Sequence, residues 1–131
     1  MGRDKTHKLY LTTDIIKNAI ITVECVNLLI EQLNFAKIPL EIYPPSKTIL
    51  TSGWRPPTIN ENIPGAAPRS KHISGQACDI YDPEGEIDEW LMAHLNVLES
   101  IGLWLEHPLA TKTWTHVQTV PPKSGKRVFF P

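Results

Sequence analysis

The sequence predicts an α+β domain: a small antiparallel sheet with two main helices packed on it. Three observations carry this. Two stretches, about 14–34 and 86–101, repeat apolar residues at helical steps of three and four. Several short apolar runs set off by proline and glycine have the length and composition of strands. The 131 residues hold neither an internal repeat nor a linker, so one domain over 1–131 is expected, with 1–11 polar and mobile at its start.

Asp14 is the expected N-cap of the first helix, its carboxylate facing free backbone N–H groups. Ile16, Ile20, Val23, Val26, Ile30 and Leu33 form one apolar stripe along it. Pro39, Pro44 and Pro45 then break regular structure, and Lys47 to Thr51 has the pattern of a short strand. Gly53 to Ser70 carries four prolines and two glycines and is expected to be a long loop, which in a compact domain usually serves function. Gln76 to Tyr81 is the second strand, followed by a turn at Pro83 and Gly85. The second helix places Ile87, Leu91, Leu98 and Ile101 on one face with His94 between them, and Gly102 suits its C′ position. Leu103 to Glu106 and Trp114 to Thr119 are two further strands, and Arg127 to Phe130 adds an edge strand.

Composition narrows the function. Hydrophobic residues at 41% and charged residues at 21% exclude a disordered tail or a fibre. Thirteen basic and fourteen acidic side chains nearly cancel, so no global field holds a polyanion and no nucleic-acid partner is expected. The cluster Lys123, Lys126 and Arg127 is taken as a solvated tail. Cys25 and Cys78 make no disulfide framework and are expected to be small buried hydrophobes. No segment is long enough to cross a membrane, and the first twenty residues lack the features of a cleavable signal, so synthesis for the cytosol, or exit by a route that needs no cleavable signal, is expected. Met1-Gly2 followed by Thr6 fits a myristoylation pattern too short and common to weigh.

The chemistry concentrates in Ser70-Lys71-His72-Ile73-Ser74-Gly75-Gln76-Ala77-Cys78-Asp79. His72 offers an imidazole nitrogen and Asp79 a carboxylate oxygen, both ordinary zinc ligands, and Gly75 lets the loop turn tightly between them. An aspartate inside an apolar strand is costly to bury unless its charge is matched. In Trp114-Thr115-His116-Val117-Gln118, strand alternation puts His116, Trp114 and Gln118 on one side. His72, Asp79 and His116 together make a His₂-carboxylate set that leaves a fourth position for water, the pattern of a catalytic zinc. Glu106, closing an apolar strand before Pro108, is the candidate general base, with His107 as its neighbour and substitute. Arg55, between a strand and two prolines, is the candidate group for a substrate carboxylate or a developing oxyanion. Singly, each has a bland reading: a loop histidine, an exposed aspartate, a core histidine, a strand-end carboxylate, a surface ion pair. The set carries the chemistry.

Three stretches, Ser52-Gly53-Trp54-Arg55-Pro56, Ser70-x-His72-x-x-Gly75-x-Ala77-x-Asp79 and Trp114-x-His116-Val117, resemble the zinc D-Ala-D-Ala metallopeptidase family. That family includes D-Ala-D-Ala carboxypeptidases, dipeptidases and phage L-alanyl-D-glutamate endolysins. The match is most similar to its short, mostly phage-encoded branch and covers about residues 12–120. The resemblance implies the α+β fold shared with the hedgehog signalling domain, Zn²⁺ at His72, Asp79 and His116, and Arg55 as the substrate or transition-state arginine. Many members place a catalytic acid three residues before the last histidine; here that position is Thr113. In the branch this chain resembles, a glutamate closes the preceding strand, and Glu106 matches it. The expectation is a monomeric peptidase of peptidoglycan stem peptides, an endolysin or D,D-carboxypeptidase type of phage or prophage origin acting at the cell wall. Ser70, Trp54 and Trp114 join Arg55 at its substrate cleft. A second expectation, prompted by Thr113, is a catalytically silent zinc domain that binds wall fragments or serves in a virion. A hedgehog-like module rests on fold alone.

Overall fold

The computed structural model describes residues 11–63 and 70–131. The mobile start expected over 1–11, Leu11 excepted, and the pattern at Met1, Gly2 and Thr6 lie outside the described residues. In order, the elements are α1 (Thr13–Phe35), β1 (Leu50–Ser52), α2 (Pro57–Glu61), β2 (Ala77–Tyr81), α3 (Glu86–Ala93), α4 (Leu95–Ile101), β3 (Trp104–Glu106), β4 (Trp114–Gln118) and β5 (Val128–Phe129). The class is α+β. One sheet has the order β1-β2-β4-β3-β5. Its pairs are antiparallel except β3 with β5, which is parallel. The wholly antiparallel sheet expected from sequence is corrected there. β2 and β3 occupy both edges of β4, so the returning chain meets the free edge of β3 and runs in its direction.

α1, α3 and α4 cover one face of this sheet. Cys78, Ile80, Leu105 and Val117 point to that face and pack with Val26, Leu29, Leu33, Ile87, Leu91, Leu98 and Leu103. Each fully buried leucine contributes about 1.5–3 kcal/mol. Strand alternation sends Asp79, Glu106 and His116 to the other face.

Several elements differ from the sequence expectation. The N-cap of α1 is Thr12, whose hydroxyl accepts from the Ile15 N–H at 3.2 Å, and Asp14 sits in the first turn. The buried face of α1 is Thr22, Val26, Leu29 and Leu33, while Ile16, Ile20 and Val23 are exposed. Apolar residues occur all round this helix, and a threonine on the buried face hid the true phase. The strand expected at Lys47 to Thr51 is centred later, at Leu50–Ser52. The proline-rich loop contains the short helix α2.

The single helix expected over 86–101 is two helices broken at His94 (φ −133°, ψ 49°). Its Nδ1–H donates to the Trp90 carbonyl at 2.7 Å. An α-helix reserves that carbonyl for the residue-94 N–H, which instead reaches Leu91 O at 3.0 Å. The imidazole, stacked on Trp90 at 4.2 Å, displaces its own backbone from the ladder. Gly102 ends α4 at φ 95°, as expected.

Gly75 ties the loop before β2 to α1. At φ +75° a β-carbon there would stand 2.9 Å from the Ile15 carbonyl oxygen. The Gly75 and Ser74 carbonyls accept from Thr22 Oγ1 at 2.7 Å and Asn18 Nδ2 at 3.1 Å. A largely apolar cavity of about 270 Å³ lies between α1 and β1, lined by Val23, Val26, Ile30, Leu50 and Trp54 among others.

Candidate metal centre

Cross-strand register builds the site. Ser52 pairs with Asp79, and Asp79 pairs with His116. The β3–β4 register pairs Leu105 with Val117, which sets Glu106 opposite His116, and Glu106 pairs with Phe129. Ser52, Asp79, His116, Glu106 and Phe129 therefore form one row across five strands. Directly opposed side chains in such a row stand about 4.5–5.5 Å apart at their β-carbons. His72 enters from the loop before β2. Its Nε2 is 3.1 Å from Asp79 Oδ2, and His116 Nδ1 is 2.8 Å from Asp79 Oδ1. Ligand-capable atoms of His72, Asp79 and His116 lie within 4.8 Å of one another, and all three residues are buried.

The outer contacts decide what these nitrogens are. His72 Nδ1 lies 2.7 Å from the Gly53 carbonyl, which can only accept, so Nδ1 carries the proton and Nε2 keeps its lone pair. The Gln118 amide donates from Nε2 to Val120 O at 2.9 Å, which turns Oε1 toward His116 Nε2 at 3.0 Å. His116 therefore donates from Nε2 and presents a lone pair at Nδ1. Two imidazole lone pairs converge on the two oxygens of one carboxylate. Such a set is stable only with a proton or a metal cation between its members, and two nitrogens with a carboxylate suit zinc. The residues fit the metal.

The electrostatics agree. Burial would push the Asp79 carboxyl up, but hydrogen bonds and charge from His116 and His72 outweigh it and hold it well below the usual carboxylate range. Burial would lower His116, yet Asp79, Glu106 and Gln118 raise it, so the pocket favours positive charge at this position. Glu106 is half-buried and raised by burial, with His116 opposing and Asp79 adding. A carboxyl raised in this way is a stronger proton acceptor than an ordinary one.

Arg55 reaches the ligand set. Its Nη2 is 3.3 Å from Asp79 Oδ2, and its Nε donates to Ser52 Oγ at 2.8 Å. Only 12% of that side chain is exposed. Ser70 accepts the His72 N–H at 3.2 Å and so helps hold that loop. Trp114 is half-buried, on the face of β4 that carries His116. Trp54 is 4% exposed, and its indole N–H donates to Ile73 O at 3.0 Å. That leaves Trp54 almost no surface for a substrate; it braces the loop that bears His72.

His107 is engaged elsewhere: Nδ1 accepts from the Leu109 N–H at 3.1 Å, and the ring stacks on Phe130 at 4.3 Å. The Thr113 side chain is exposed. Cys78 is buried with its thiol pushed up to about 12 by burial and by Asp79, so it is inert, while Cys25 is only half-buried. The sequence reading missed the orienting roles of Gly53 and Gln118; the i, i+2 spacing of His116 and Gln118 was the available signal for the second. It also missed Asp82 and Asp88, buried at the start of α3 behind the sheet. Asp82 accepts from Ile87 N at 3.1 Å, Asp88 N at 2.9 Å and Thr115 Oγ1 at 3.0 Å. No helix among the described residues is long and apolar enough to cross a membrane.

Comparison with known proteins agrees with this arrangement. Residues 8–118 match the family model described as peptidase M15. No curated protein and no solved structure matched the chain. The matched stretch spans most of the chain and contains α1, the loop with His72 and the whole row on β1 to β4, so the chain belongs to the peptidase M15 family.

Proposed function

We propose that the chain is a zinc peptidase that hydrolyses a peptide bond in the stem peptides of bacterial peptidoglycan, as a member of the family's short phage-encoded branch. The observation that carries this is the pair of orphaned imidazole lone pairs converging on Asp79, with Glu106 in the same row. The ligand atoms are His72 Nε2, His116 Nδ1 and an Asp79 oxygen. Zinc held there lowers the pKa of a bound water to near 7 and polarises a carbonyl. Glu106 takes a proton from the attacking water at its carboxylate and passes it to the leaving amine nitrogen. Arg55, already within ion-pair distance of Asp79, stabilises negative charge developing on the carbonyl oxygen. Trp114 offers an apolar wall beside His116, and Ser70 acts through the His72 backbone. The wall-peptide substrate and phage origin rest on the three sequence motifs.

The test pairs metal content with release of amino groups from purified peptidoglycan, for the wild type and Glu106→Gln. About one zinc per chain and chelator-sensitive release are expected. The variant should keep its metal and lose turnover by about 10²- to 10⁴-fold. Unchanged turnover in the variant removes Glu106 from the mechanism. Zinc without release from several wall types supports a silent zinc-binding module instead.

A further inference from the structure

In the basic cluster near the end of the sequence Lys123 and Lys126 are exposed as expected of a solvated tail, but Arg127 is not. Arg127 is half-buried, its guanidinium carbon 4.4 Å from the centroid of the Trp104 ring and its Nη1 donating to Leu103 O at 3.0 Å. Guanidinium on indole is a recurring arrangement that keeps the cation's in-plane edge free while fixing its position. Trp104 alternates with the buried Leu105 and so shares the sheet face of Glu106. It pairs directly with Gln118, the residue that orients His116. Arg127 therefore sits on the site face one row from the row of Asp79, His116 and Glu106. Two residues of strand make that step about 7 Å.

Two features make this position a binding site for an anion. An arginine presents five N–H donors in a planar fork suited to carboxylates. The remaining donors of Arg127 meet no acceptor, and its charge meets no carboxylate, among the described residues. The sequence around Arg127 is also basic. From His107 to Pro131 the sequence contains Lys112, Lys123, Lys126 and Arg127 and no aspartate or glutamate, although the whole chain is nearly neutral. Arg127 lies outside the stretch matched by the family model, residues 8–118.

We propose that Arg127, braced on Trp104, binds a carboxylate of the peptide substrate about two residues from the scissile bond, making this protein selective for acidic peptides. The proposal rests on the peptidase reading of the neighbouring row. The carboxylate can come from an acidic side chain or from a free chain end, and both present the same two oxygens to the fork.

The test is calorimetric binding at low ionic strength to the full, zinc-loaded chain. The probes are a short peptide carrying both carboxylates and its two twins, one amidated at the side chain and one at the terminus. One amidation is expected to weaken binding about 10- to 100-fold, the range for charge-assisted hydrogen bonds, and it identifies the source of the carboxylate. In Arg127→Gln the three peptides should bind within about twofold of one another, and Arg127→Lys should retain part of the preference, because it keeps the charge without the fork. An arginine that merely anchors β5 predicts a different pattern: a lower melting temperature and an equal loss for all three peptides. That pattern overturns the proposal, as do equal affinities in the wild type, a preference that survives Arg127→Gln, or binding of none of the peptides. Turnover measured on the same samples separates the two readings. Selective binding without hydrolysis sinks the peptidase reading and leaves the anion site; hydrolysis without selectivity does the reverse.

Discussion

Asp88 offers a quantitative test of the fold beneath the site. It is 4% exposed, and its Oδ1 has no hydrogen-bond partner; the buried Thr111 hydroxyl likewise has none. Burial is the main reason its carboxyl is raised from the ordinary 3.8 to about 7; the Thr115 hydroxyl opposes this, and the charges of Asp82 and Glu106 add to it. The proton is thus bound more tightly in the folded chain than in the unfolded one. Asp88 costs nothing below pH 3.8, and the stability linked to its proton is lost progressively as pH rises to about 7. At about 1.36 kcal/mol per pH unit, that interval amounts to about 4 kcal/mol as a ceiling. Asp88→Asn keeps the shape and abolishes the charge. It also gives up about 0.5 kcal/mol of favourable interaction between an acid and the N-terminus of α3. The expected outcome is a variant about 2–3 kcal/mol more stable than wild type at pH 8.5 and equal or slightly less stable near pH 4. Urea unfolding of metal-free protein across that range provides the measurement. A difference that does not change with pH, or a variant less stable at pH 8.5, refutes the reasoning.

Two further substitutions probe the supports of the ligands. Gly75→Ala forces a β-carbon to 2.9 Å from the Ile15 carbonyl at a positive φ, so stability in urea should fall by about 2 kcal/mol or more; an unchanged midpoint contradicts the close approach. Gln118→Leu removes the acceptor of His116 Nε2–H, and zinc affinity by dye competition should drop about 10- to 100-fold; equal affinity shows that another group sets the tautomer.

What the sequence made legible were features that depend on local pattern. β2 and β4 are short runs in which one aspartate and one histidine stand out among mainly apolar neighbours, and the candidate ligands at 72, 79 and 116 are separated by spacings that a turn and a strand pair reconcile. The phase of α1 was not legible, because isoleucine and valine lie on both its faces and the buried face includes Thr22. The break at His94 has no proline or glycine to announce it; it depends on an imidazole competing for the Trp90 carbonyl. The direction of β5 follows from which sheet edges are already taken, a property of the whole topology. Arg55 lies beside Asp79, a contact that emerges only once β1 and β2 are in register.

The two imidazoles are oriented by different kinds of group, and this bears on how the protein can vary. His72 is held by the carbonyl of Gly53, a main-chain atom that survives any side-chain substitution at that position. His116 is held by the amide of Gln118, which a single codon change can erase. Drift in the gene can therefore adjust metal retention in small steps through position 118, while the partner of His72 can be lost only by moving the backbone. One side of the centre is a fixed jaw and the other a set screw.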